Sequence, residues 1–118
     1  MAELATAVVE RNDGVQVVRL AGEVDMSNAA RLEMDISDVA SNDDPGLVLD
    51  LSETEYLDSA GIRMLFELAE RLGGRRQTLV LVVPPDSLVR HSLEVTEVDQ
   101  AIAMSDTVAE AIEAIRTG

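Results

Sequence analysis

Residues 47–62 read Leu47-Val48-Leu49-Asp50-Leu51-Ser52-Glu53-Thr54-Glu55-Tyr56-Leu57-Asp58-Ser59-Ala60-Gly61-Ile62. The run Leu47 to Leu51 is short, apolar but for Asp50, and follows the turn formers Ser41-Asn42-Asp43-Asp44-Pro45-Gly46, which is the pattern of a strand covered on both faces. After the polar stretch Ser52 to Asp58 the spacing predicts a helix from about Ala60 to Leu72. Its core stripe is Ile62, Leu65, Phe66, Ala69 and Leu72, and its wet face is Arg63, Glu67, Glu70 and Arg71, with Gly73-Gly74 as the stop. A buried strand feeding an amphipathic helix is a β–α unit.

Upstream, Ala5 to Arg11 and Val15 to Ala21 flank Asn12-Asp13-Gly14, whose Asp-Gly step favours a hairpin. The second of these runs is apolar enough to be covered on both faces. Ser27 reads as the N-cap of a helix to about Ala40, with Ala29, Leu32, Ile36, Val39 and Ala40 inward and Glu33, Asp35 and Asp38 outward. Downstream, Thr78 to Val83 reads as a third buried strand stopped by Pro84-Pro85. A short helix capped by Asp86 or Ser87 then runs to Leu93. A last strand near Ala101 to Met104 precedes a helix from Thr107 to Ile115, capped by Ser105 or Asp106, with Val108, Ala111, Ile112 and Ile115 on one side. The expectation is one α/β domain over residues 1–118: an opening hairpin and a mixed sheet with parallel strands and packed helices.

Composition narrows the chemistry. Nine basic residues, all arginine, against 23 acidic ones leave a net charge of −14, which repels a nucleic-acid backbone or an anionic bilayer. Without lysine there is no P-loop, no Schiff base and no receiver-type phosphorylation site at Asp50, which reads instead as the cap of the turn after its strand. Without cysteine there is no thiol nucleophile, disulfide or thiolate metal site. The start of the chain has no signal-peptide pattern, and no run approaches the length of a membrane span, so a cytoplasmic location is expected. The single histidine, His91, lies in the short helix with no second histidine or metal spacing, and no Gly-x-Ser-x-Gly occurs. No catalytic residue, metal site or cofactor is predicted, and an enzyme is disfavoured.

Ser59 is the informative residue. By position it reads as an N-cap for the helix that follows it. Gly61 inside the first turn costs about 1 kcal/mol relative to alanine, and Ile62 stands where a capping box has glutamate. A helix start so poorly tuned for initiation leaves a second reading open, in which Gly61 clears space for another surface to approach Ser59.

The strand ending Asp50-Leu51-Ser52, the spacer, and Asp58-Ser59-Ala60-Gly61 together resemble the signature of STAS domains. Gly22-Glu23-Val24-Asp25 is similar to that family's upstream loop, and Leu93-Glu94-Val95-Thr96 with Val98 and Asp99 to its downstream segment. Where the family often carries glycine after that threonine this chain has Glu97, a departure that bears on the shape of the loop. The resemblance runs from the hairpin to the final helix. It implies an anti-sigma factor antagonist without catalysis of its own, whose unmodified form binds an anti-sigma factor with serine kinase activity and so releases a sigma factor. It implies phosphorylation at Ser59 as the off-switch, a phosphatase to reset it, and a partner surface drawing on Asp25, Asp58, Ser59, Gly61 and Arg63. The added charge would sit at a helix N-terminus, whose free N–H groups are expected to tolerate it. Arg63, one turn on, is placed to contact Asp58 or the phosphate, or to remain a solvated surface arginine. The competing expectations are a non-catalytic STAS subunit of a stress-signalling assembly or of a membrane transporter, and a small-molecule or nucleotide-binding domain. Against the last, no glycine-rich loop follows a strand.

Overall fold

The computed structural model describes residues 5–41 and 43–118; Asn42, within the predicted turn before the third strand, lies outside them. Strands β1 (Ala5–Asn12) and β2 (Val15–Val24) form the expected hairpin, paired from Ala5 opposite Gly22 to Asn12 opposite Val15. Both turn residues have positive φ, Asp13 at 53° and Gly14 at 79°, which is the two-residue reversal whose twist matches that of the strands.

Helix α1 (Ala29–Val39) leads to β3 (Gly46–Asp50), and β4 (Thr54–Leu57) to α2 (Ser59–Gly73). Then follow β5 (Thr78–Val82), the short helices α3 (Arg90–Val95) and α4 (Val98–Ala101), β6 (Ala103–Ser105) and α5 (Val108–Thr117). The sheet runs β1-β2-β3-β5-β6, parallel from β2 onward, with β4 paired to β2 outside that path. Strand β2, besides pairing with β1, therefore serves two parallel neighbours. Gln16 to Arg19 lie beside Leu47 to Asp50, and past a register shift at Gly22, φ 100°, its end lies beside β4. The buried Thr54 hydroxyl donates to the Leu20 carbonyl at 2.6 Å and pins the start of β4.

The sheet separates its residues by size. Leu20, Leu47, Leu49 and Leu81 face the layer of α1, α2 and the α3–α4 segment, whereas Val15, Val17, Val48, Val80 and Val82 face α5 alone through Ala111, Ile112 and Ile115. Strand β2 is thus covered on both faces, as its sequence predicts. At Gly46 an added Cβ would run into the Thr78 carbonyl and press on Ile115, so only glycine fits where β3 enters the sheet.

Several expectations need correction. The polar stretch from Ser52 to Asp58, to which the sequence assigns no element, contains β4. In α2 the core stripe is Met64, Leu65, Leu68 and Leu72, while Phe66 is partly exposed. The helix stops at Gly73-Gly74 as expected, but Gly74 caps it in a right-handed conformation and the left-handed residue that follows is Arg76. Glu33 does not face away: it is buried between α1 and α2 and accepts from Arg71 Nη2 at 2.8 Å. Helix α1 begins at Ala29, so Ser27 is not its N-cap. The helix expected from Asp86 or Ser87 begins at Arg90, the last strand sits at Ala103–Ser105, and Thr107 rather than Ser105 or Asp106 caps α5 by accepting from Glu110 N–H at 3.1 Å.

Candidate functional site

In open α/β sheets the carboxyl ends of parallel strands collect functional loops. Here the ends of β2 and β4 emerge side by side, tied by Asp58 N–H to the Val24 carbonyl at 3.1 Å. The loop Asp25–Asn28 leaves one, and the Asp58–Ser59 step leaves the other.

Asp58, not Ser59, caps α2. Its backbone is extended, and its Oδ1 accepts from Ala60 N–H at 2.8 Å and Gly61 N–H at 3.0 Å. Asp and Ser are equally good caps, so residue type does not favour Ser59 over the aspartate before it. The consequence is direct. Ser59 is the first helical residue, exposed, and its hydroxyl bonds to no described residue.

Gly61 is buried, which changes the reason for its presence. An added Cβ would lie 3.1 Å from Leu57 Cδ2 and 3.2 Å from the Val24 carbonyl oxygen, so glycine lets the first turn of α2 nest against β2 and β4. Internal packing by itself accounts for a glycine here.

Asp25 closes its own loop. Its Oδ1 accepts from the Ser27 hydroxyl and from Ser27 N–H at 2.8 Å, and these bonds, the hydroxyl's foremost, hold the carboxyl below the usual aspartate range. Asn28 braces the loop by accepting from Asp25 N–H and donating to the Glu23 carbonyl, both at 3.0 Å. Met26 at its tip is 83% exposed. Arg63 forms no ion pair with Asp58 or any other described residue; it lines a cleft of about 210 Å³ between α1 and α2 with Met26, Ala30, Ala60 and Glu67.

On the other side of Ser59 a shallow groove of about 660 Å³ separates the start of α2 from α3. Tyr56, Ser59 and Ile62 line one wall and His91, Ser92 and Val95 the other. Tyr56 and Val95 are exposed, so the groove beside the serine carries open apolar surface. Neither this groove nor His91's place in it was legible in the sequence, because α3 meets α2 only through the tertiary fold. Glu97, between α3 and α4, has φ 62° and ψ 26°; it adopts the left-handed conformation natural to glycine, so the departure at this position leaves the turn in place at a cost of about 1–3 kcal/mol.

Over residues 6–111 the sequence matches the model of the STAS domain family. The chain belongs to that family. Among relatives of this STAS domain, the anti-sigma-F factor antagonist RsfB of Mycobacterium tuberculosis is 31% identical over 113 residues, covering 96% of this chain and 91% of that protein. An anti-sigma factor antagonist from Mycobacterium paratuberculosis superposes with a TM-score of 0.82 at 35% identity, covering 95% of this chain and 94% of that one. A sulfate transporter family protein from Wolinella succinogenes also shares the fold, with a TM-score of 0.74 at 21% identity over 92% of this chain and 89% of that one. The fold alone therefore does not separate a regulator from a transporter component. Among the described residues no helix is long and apolar enough to cross a membrane.

Proposed function

We propose that this STAS domain is an anti-sigma factor antagonist that works by binding and is switched by phosphorylation of Ser59. Its unmodified form binds an anti-sigma factor that is also a serine kinase, which frees a sigma factor in the cytoplasm, and a phosphatase restores the bound state. The observation that carries this reading is the unclaimed Ser59 hydroxyl: Asp58 has taken over the capping, so the serine is available to an outside base. The two relatives at 31% and 35% identity, both named as anti-sigma factor antagonists, supply the partner class. Exposed Tyr56 and Val95 in the groove beside the serine supply apolar contact area for it.

The domain contributes no reacting group other than the hydroxyl. ATP and magnesium belong to the kinase, whose base takes the Ser59 proton as the oxygen attacks the terminal phosphorus and its bond to ADP breaks, releasing ADP. The product carries about −1.5 to −2 additional charge next to the Asp58 carboxylate. Within a desolvated interface that charge opposes association while the fold stays intact.

Titration of the cognate kinase, by calorimetry or interferometry, tests this. Ser59→Asp is expected to bind about 30- to 1000-fold more weakly than wild type, the range for a charge buried without a partner in an interface. Ser59→Ala is expected to bind comparably to wild type and to take up no phosphate from ATP. Equal affinity of the aspartate variant and wild type would overturn the switch.

A further inference from the structure

A phosphate at position 59 finds the N–H groups of the next three residues already engaged. Asp58 Oδ1 holds the N–H groups of Ala60 and Gly61, and its carbonyl accepts from Ile62 N–H at 2.9 Å. The tolerance expected from a free helix N-terminus is therefore largely spent on a carboxylate, which itself repels the newcomer. The dianion needs a counter-charge from elsewhere.

The groove beside Ser59 offers one. Its lining includes a single side chain able to become cationic at moderate pH, His91, across from Ser59. The neighbouring Arg90 is committed: its Nε donates to Glu94 at 3.2 Å, and its Nη1 to the Val83 carbonyl at 2.6 Å and to Asp106 at 3.5 Å. Thr96 donates its hydroxyl to the Ser92 carbonyl at 2.7 Å, whereas the Ser92 hydroxyl, exposed on the same wall, bonds to no described residue.

We propose that the groove between α2 and α3 is the seat of the phosphate on modified Ser59, with protonated His91 as its counter-ion and the Ser92 hydroxyl as a donor. This deepens the switch and rests on Ser59 being the acceptor. The other titratable groups on the groove are Tyr56 and Asp58 on the facing wall, and Asp58 acts against the dianion. Glu94 and Arg90 flank His91 on its own helix and pair with each other. Arg63, one turn beyond Ser59, opens on the opposite cleft with Glu33 and Glu67, and is the rival counter-ion.

An imidazolium favours the dianionic form of the phosphate and so lowers the midpoint of its second ionisation, which lies near pH 6 in an isolated phosphoserine. The test places phosphoserine at position 59 by genetic encoding in the full chain and follows that midpoint by phosphorus NMR. His91→Gln is expected to raise it by about half a pH unit, the shift that one charge at contact distance gives under water-like screening. His91→Lys is expected to keep it at or below the wild-type value, and Arg63→Gln to leave it near wild type. A midpoint indifferent to His91→Gln, or one that moves with Arg63→Gln instead, overturns the proposal. Because the phosphoserine is encoded, the measurement needs no kinase. A kinase that leaves Ser59 unmodified defeats the acceptor reading, and an unmoved midpoint defeats the groove.

Discussion

Three aspartates in this domain end a strand or open a loop and do the same local thing: each accepts the N–H two residues on. Asp25 takes Ser27 N–H at 2.8 Å, Asp50 takes Ser52 N–H at 2.9 Å, and Asp58 takes Ala60 N–H at 2.8 Å. The strand ends at Asp50 and Asp58 differ in their surroundings. Strand β3 lies between β2 and β5, so Asp50 is 4% exposed, and Arg19 stands 3.7 Å from its second oxygen. Strand β4 pairs only with β2, at its far end, and Asp58 is half-buried with no cation paired to it among the described residues. At Asp50 the carboxylate is buried by its position in the sheet. At Asp58 the serine stands one residue after the aspartate instead of two, and so falls outside the turn's hydrogen bonds. Both turns leave an exposed serine hydroxyl with no partner among the described residues, Ser52 and Ser59, but only Ser59 opens a helix and lines the groove facing α3.

That contrast sets an order of effects. Asp50→Ala is expected to cost about 2–3 kcal/mol in denaturant unfolding, because it removes a charged acceptor from a buried turn and strips Arg19 of a partner. Kinase binding by the folded fraction should not change. Asp58→Ala removes a cap with two bonds and is expected to cost about 1–2 kcal/mol, while Ser59→Ala should stay within about 0.5 kcal/mol of wild type. A loss at Ser59 as large as at Asp58 would mean that the hydroxyl caps the helix after all, and the distinction between the two turns would fail.

The sequence made the architecture readable where period and punctuation agree. Leu47 to Asp50, Thr78 to Val82 and the α5 stripe of Ala111, Ile112 and Ile115 sit as their patterns predict, and Asp13-Gly14 fixes the hairpin. Strand β4 was hidden because Glu55 and Tyr56 point to solvent and only Thr54 and Leu57 are buried, too few residues to show an alternation. In α2 the stripe read from the sequence was rotated by part of a turn, which placed Phe66 inward and overlooked Met64 and Leu68. At the site, Ser59 was legible as a residue of interest, but its freedom was not, since that depends on which of two adjacent caps the backbone selects. Glu33 was placed outward because burial of a carboxylate depends on Arg71, a partner 38 positions away.

The smallest effect separates the Asp25 loop from both strand ends. There the serine hydroxyl is drawn into the turn, donating to the same carboxylate oxygen as Ser27 N–H, and the carboxyl is held below its usual range for that reason. A carboxyl whose ionisation is favoured in the folded state adds stability above the unfolded value, about pH 3.9, and loses that contribution as pH falls through its lower folded value. Ser27→Ala removes the leading cause. The stability difference between wild type and Ser27→Ala is therefore expected to be full above about pH 5 and to shrink as acid protonates Asp25 in both proteins. Carbon NMR of the Asp25 carboxyl gives the site directly: its midpoint should rise in Ser27→Ala and stay unmoved in Ser59→Ala. A midpoint that Ser59→Ala raises as much would mean that the two serines share one hydrogen-bonded unit, and the separation between a closed turn and an open hydroxyl would not hold.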